Sequence, residues 1–105
     1  MSNPTFYLVL VRHDPKQQKA IQAFEQAVAP IMARHGGKMQ AILRPKAPGT
    51  NLGQEVHFLR FDQADGLSHY KADPELQTLA GLAKEAFQSL EVIPCESLDL
   101  GEYYS

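Results

Sequence analysis

The strand-forming segments of this chain are apolar on both of their faces. Phe6-Tyr7-Leu8-Val9-Leu10-Val11 offers a hydrophobic side chain at every position, and Val56-His57-Phe58-Leu59-Arg60-Phe61 and Leu90-Glu91-Val92-Ile93-Pro94-Cys95 do so less completely. A strand with one wet face alternates apolar and polar residues, whereas near-continuous runs call for cover on both sides. Only two helical stretches can be read, enough to cover one face of a small sheet. The other face needs a different cover, most simply a second copy of the chain. The expected assembly is a homodimer with a space enclosed between two sheets.

Composition narrows the setting. The 105 residues make one domain, with a core over about 5–96 and a tail over 97–105. The charged fraction is 21% and the net charge −2, so no basic excess draws the chain to nucleic acid. No apolar run approaches the roughly 18 residues that span a bilayer. Met1-Ser2-Asn3-Pro4-Thr5 has neither the positive start nor the apolar centre of a secretion signal, so the expected location is cytoplasmic. Cys95 is the single cysteine, which excludes an internal disulfide, and it reads as an inert buried thiol.

The first strand covers about 5–12. Asp14-Pro15 then opens a helix as cap and first residue, with Gln17 at the capping-box position. Ile21, Phe24, Val28 and Ile31 form one apolar stripe. Pro30 falls inside this helix and predicts a kink, at a cost of roughly 3 kcal/mol in a helix interior. Gly36-Gly37 ends the helix. A second strand runs over about 38–44, and Pro45 to Gly53 is a loop. A third strand follows over about 54–61. Asp62 is placed to cap a short helix over 63–72, and Asp73-Pro74 opens a longer helical stretch to about Phe87, with Leu76, Leu79, Leu82 or Ala83, and Ala86 as its stripe. A fourth strand covers about 88–95. The tail ends in Tyr103-Tyr104, which suits either an arm on a partner subunit or a disordered end.

Strand, helix, strand, strand, helix, strand with right-handed crossovers gives a ferredoxin-like α+β subunit. Its four-stranded antiparallel sheet carries both helices on one face and dimerises through the other. Alternation then sorts the side chains. Val56 and Phe58, with Met39, Ala41, Leu43, Leu90 and Val92, are expected to face the helices. Glu55, His57, Leu59, Phe61, Gln40, Ile42, Arg44, Glu91, Ile93 and Cys95 are expected on the bare face. Strand one leaves the choice open, although the Tyr7 hydroxyl needs a partner and so favours the mixed face.

The segment Phe61-Asp62-Gln63-Ala64-Asp65-Gly66-Leu67-Ser68-His69-Tyr70-Lys71-Ala72-Asp73-Pro74-Glu75-Leu76 resembles the dimeric α+β barrel superfamily. There a strand ends in an aromatic, a short helix carries an aromatic or histidine, and a proline turn opens the next helix. The resemblance covers roughly 5–96 and implies the fold and the dimer. Its members include quinol monooxygenases of the antibiotic-biosynthesis type, haem-degrading enzymes, dehalogenation and isomerisation enzymes, stress-response proteins and uncharacterised small proteins. Where the monooxygenases carry Glu-x-Trp this chain has Leu59-Arg60-Phe61. Where they carry a helix histidine it has Tyr70, with His69 one place earlier. These departures weigh against cofactor-free oxygen chemistry.

A mostly apolar space with a few converging polar groups suits a small hydrophobic or aromatic ligand. His57 is the candidate acid–base residue, since imidazole titrates near neutral pH. Tyr7, Gln40, Arg44, Leu59, Phe61, Tyr70 and Glu91 are the expected pocket residues, with Arg44 and Glu91 available to orient His57. His13, His35 and His69 read as helix-end or solvated side chains. No metal-ligand spacing and no glycine-rich phosphate loop occur, so no metal or cofactor is expected. The function expected is binding, or simple proton-transfer or oxygen chemistry, on a small hydrophobic or aromatic compound. The alternatives are a structural or stress-related dimer with a filled barrel, and a cofactor-independent monooxygenase.

Overall fold

The computed structural model describes residues 4–46 and 55–105. Strand β1, Thr5–Arg12, runs into a turn of 3-10 helix over Pro15–Gln17 and then into α1, Gln18–Arg34. Asp14 caps the turn, its Oδ1 accepting from the Lys16 amide at 2.9 Å. Gln17 makes no side-chain cap bond, so the capping box expected there does not form. Helix α1 continues through Pro30 to Arg34, burying Ile21, Val28, Ile31 and Met32. Gly36 ends it at φ +75°, the left-handed cap conformation that glycine takes without strain.

Strands β2 (Gly37–Leu43) and β3 (Glu55–Phe61) follow. The loop expected at Pro45–Gly53 lies largely outside the described residues. Next come α2 (Gly66–Lys71), α3 (Pro74–Gln77), α4 (Ala80–Ala86), β4 (Ser89–Cys95) and α5 (Leu100–Tyr103). Asp62 does not cap α2, which starts four residues later; its Oδ1 instead accepts from Arg60 Nη1 at 2.7 Å. The single helix expected from Pro74 is broken in two. At the break Thr78 Oγ1 donates to the Glu75 carbonyl at 2.6 Å, a local bond of the kind that competes with helix continuation. Helix α5 was not legible, although Asp99 caps it by accepting from the Glu102 amide at 3.1 Å.

The sheet order is β2-β3-β1-β4, with every neighbouring pair antiparallel. This is the expected ferredoxin-like α+β sheet, with the helices on one face. Register fixes which side chains share a face. Val9 lies opposite both His57 and Val92, while Leu8 lies opposite Phe58 and Ile93. Leu59, Phe61, Val9 and Val11 join Val28, Ile31, Met32 and Tyr70 in the core. The expected sidedness of β3 is therefore reversed: Glu55, His57, Leu59 and Phe61 point to the helices, and Val56 and Phe58 away. In β2 a bulge between Met39 and Ala41 splits the set, leaving Met39 and Ile42 on the helix side and Ala41 and Leu43 opposite. Leu90 and Val92 face the helices as expected. Cys95, expected to be buried, is exposed in the subunit.

The tightest approach in the fold is at Gly37. A Cβ there would strike the Met32 side chain and come within 2.5 Å of Phe61 Cε1, and Phe61 is fully buried. Gly37→Ala is expected to cost about 1–3 kcal/mol by overpacking. A urea denaturation series measures this, and an unchanged midpoint would mean that Met32 and Phe61 can give way.

Candidate functional site

His57 sits in the middle of β3, 3% exposed, with a carboxylate near each ring nitrogen. Its Nε2 lies 2.8 Å from Glu55 Oε1, and its Nδ1 lies 3.5 Å from Glu25 Oε1. Glu55 and His57 share the helix-facing side of β3 because they are two residues apart. Glu25 reaches them from α1, where it falls four residues after Ile21 and three before Val28, on the buried stripe.

Glu55 is tied on its other oxygen as well. Arg44 Nη2 donates to Oε2 at 3.2 Å, and His13 Nε2 approaches the same oxygen at 3.8 Å. Burial pushes the Glu55 carboxyl up, but the hydrogen bonds from His57 and Arg44 and the nearby imidazoles outweigh it and hold the group below the usual carboxylate range. An ionised carboxylate can only accept, so His57 Nε2 carries a proton; in the neutral imidazole Nδ1 is then the acceptor. Glu25 is displaced the other way. Burial raises it, the attraction of His57 lowers it, the repulsion of Glu55 raises it, and the net result is a carboxyl above the usual range. Two carboxyls thus flank one imidazole with opposite tendencies, one held below and the other above the usual carboxylate range.

Both His57 and Glu25 border a cavity of about 300 Å³ between the sheet and the helices. Its walls are mainly apolar: Val9, Leu59 and Val92 from the sheet, Phe24 and Val28 from α1, and Leu76, Leu79 and Ala83 from the segment after α2. Phe24 and Phe87 meet edge to face at 5.2 Å along this wall. Tyr70, 9% exposed, adds a hydroxyl whose pKa is pushed up to about 12 by burial and by the charge of Glu25. It stays a proton donor at any ordinary pH.

The cavity is therefore inside one subunit, not between two sheets. Of the residues expected in the pocket, His57, Leu59 and Tyr70 border it. Arg44 stands behind, on Glu55. Phe61 is fully buried, and the half-buried Tyr7 meets its ring at 6.0 Å. Gln40 is exposed at the β2 bulge, and Glu91 is exposed on the opposite face, across from Leu10, where neither meets His57. His13, expected to be solvated, is 3% exposed. His35 pairs with Asp73, its Nε2 2.7 Å from Oδ2, and His69 is exposed. The sequence reading missed Glu25 and gave Glu55 no role. The available signal for Glu25 was a charged residue standing on an apolar stripe.

No protein-family model matches the chain, and no curated protein matches it. Solved structures do. A protein of unknown function from Rhodopseudomonas palustris superposes with a TM-score of 0.76 at 18% identity, covering 94% of this chain and 85% of that one. A dimeric protein of unknown function with a ferredoxin-like fold from Bacteroides fragilis gives 0.63 at 16% identity, covering 90% and 96%. The chain shares the ferredoxin-like fold of these proteins. A candidate antibiotic biosynthesis monooxygenase from Nitrosomonas europaea, with a TM-score of 0.69 at 11% identity, covers 93% of each chain and has the same fold. Among the described residues, no helix is long and apolar enough to cross a membrane.

Proposed function

We propose that each subunit binds a small hydrophobic or aromatic compound in the cavity beside His57 and moves a proton to or from it. The observation that carries this reading is the fixed imidazole. Glu55 engages Nε2, and His57, with Glu25 3.5 Å from its Nδ1, lines an apolar cavity. A base in such a place is oriented by its partner and itself almost wholly buried, both of which favour general base catalysis. The carboxylate behind it stabilises the imidazolium once formed. The Tyr70 hydroxyl is available to donate to an oxygen on the same ligand. A cavity of this size favours ligand binding over a purely structural role. The apolar bare face of the sheet supports pairing of two subunits, as does the description of the Bacteroides fragilis protein as dimeric.

The test uses a panel of aromatic ketones and 1,3-diketones in D₂O, with loss of the exchangeable carbon-bound proton followed by NMR. Wild-type protein is expected to accelerate exchange for some member of the panel. His57→Gln, folded by circular dichroism, is expected to lose about a hundredfold or more of that acceleration. Equal rates in the two proteins would remove His57 from the chemistry. A panel with no acceleration and no rise in melting temperature would defeat the ligand reading altogether.

A further inference from the structure

We propose that Glu25 is the proton outlet of this site, taking the proton from His57 and releasing it into a second, water-facing cavity on α1. The inference rests on the acid–base reading of His57 given above. Once Nδ1 has accepted a proton, that proton must leave before the next cycle, and His57 itself has almost no access to water. Its Nε2–H is committed to Glu55. Glu55 is occupied by Arg44 and approached by His13. Tyr70 holds its own proton too firmly to take another's place in a relay. Glu25 is placed differently. It is 3.5 Å from Nδ1, and its side chain is 22% exposed where that of His57 is 4%.

The same residue also borders a cavity of about 380 Å³ with Gln18, Gln22, Gln26 and Arg44; Ile21, Ile42 and Glu55 line it too, but Glu55 has its oxygens engaged by His57 and Arg44. Gln22, Gln26 and Arg44 are exposed, so that cavity communicates with solvent. Glu25 thus stands between the apolar chamber and a second cavity that carries more polar groups and opens to water.

The steps balance. The Nδ1–H bond of the imidazolium breaks as an O–H bond forms on Glu25, converting an ion pair to two neutral groups. That conversion suits a partly buried position, where separated charges are costly. The O–H bond then breaks to water in the outer cavity, restoring the Glu25 carboxylate while His57 is neutral. The charged and titratable groups facing this pathway are His57 and Glu55 from β3, Tyr70 and Lys71 from α2, Arg44 after β2 and His13 after β1. Burial raises the Glu25 carboxyl above its usual range, which eases transfer of a proton onto it.

The experiment needs no substrate. The exchange of the His57 ring protons with water is measured by NMR on protein carrying ¹⁵N-histidine, in wild type, Glu25→Gln and Glu25→Asp. The expected result is slowing by about tenfold or more in both variants. Glu25→Asp, which keeps the charge but shortens the reach, is expected to leave the His57 titration midpoint close to wild type. A purely electrostatic role for Glu25 would instead shift the midpoint in Glu25→Gln and leave the exchange rate of Glu25→Asp untouched, and that outcome would overturn the proposal. If Glu25→Gln does not fold, the Glu25→Asp rate alone decides. Because this readout is independent of turnover, a failure of the ketone panel and a failure of the outlet are separate results.

Discussion

Replacing Glu55 by alanine is expected to destabilise the fold by about 3–5 kcal/mol at neutral pH. The carboxylate is 4% exposed and is the common partner of Arg44, His57 and His13, which reach it from three different segments. Truncation removes the acceptor but leaves two buried imidazoles beside an empty space, and an unpaired buried polar group costs more than its hydrogen bond gained. Glu55→Gln keeps the shape and one acceptor oxygen, so its cost is smaller than that of the alanine variant.

The pH dependence gives this prediction a second, sharper form. The Glu55 carboxyl is held below its ordinary value when folded. Its contribution is therefore fully present above the unfolded value of about 4.3 and is lost as the pH falls through the lower, folded one. Glu25 has the opposite sign: its folded value is raised, so its contribution is best below about pH 4.3 and weakens as the pH rises through the raised value. Urea midpoints from pH 3 to 7 separate the two. The gap between wild type and Glu55→Ala is expected to narrow at the acid end, and Glu25→Gln is expected to gain on wild type towards neutrality. A gap that stays constant, or one below about 1 kcal/mol, would mean that the Glu55 network carries little of the stability.

These groups show where sequence reading succeeds and where it stops. Asp14-Pro15, Gly36 and Asp73-Pro74 act locally, through carboxylate caps, proline rings and a backbone angle, and each marks an element boundary that the structure contains. The order of elements then fixed the sheet. Sidedness is a different kind of fact. Leu8 and Val9 are equally at home on either face, and in β3 the purely apolar pair Val56 and Phe58 looks better suited to a core than Glu55 and His57. Cross-strand register decides the matter: Val9 sits between His57 and Val92, so once Val92 faces the helices His57 must as well. The bulge at Met39–Ala41 has no strong signal in the sequence, and it reverses the second half of β2. The buried location of His57 and Glu55 became tolerable only because Arg44, His13 and Glu25 arrive from elsewhere in the chain. That convergence is tertiary and is not written in any one segment.

Leu8→Asp is expected to convert the protein from dimer to monomer. The face away from the helices presents Phe6, Leu8, Leu10, Val56, Phe58 and Ile93, with Leu8 central, opposite both Phe58 and Ile93. Phe58 is 38% exposed, and Leu43 on the same face is 56% exposed, although both lie in a sheet otherwise rich in buried residues. Four strands of seven or eight residues span about 19 by 23 Å. Such a face is small beside the roughly 800 Å² that each partner contributes to an ordinary stable interface. It has little surplus, so one carboxylate buried at its centre without a partner, at several kcal/mol per subunit, is enough to abolish pairing. Light scattering on a sizing column at low micromolar concentration is expected to give twice the 11.7 kDa chain mass for wild type and the chain mass itself for Leu8→Asp. A wild-type monomer would refute pairing through this face, and a dimeric Leu8→Asp would move the contact elsewhere. The cavity distinguishes this structure from the arrangement expected from sequence, in which the pocket lay between two sheets and vanished with the dimer. His57, Glu25 and Tyr70 all belong to one subunit, so the monomeric variant is expected to keep both the ligand-induced rise in melting temperature and the ring-proton exchange of His57.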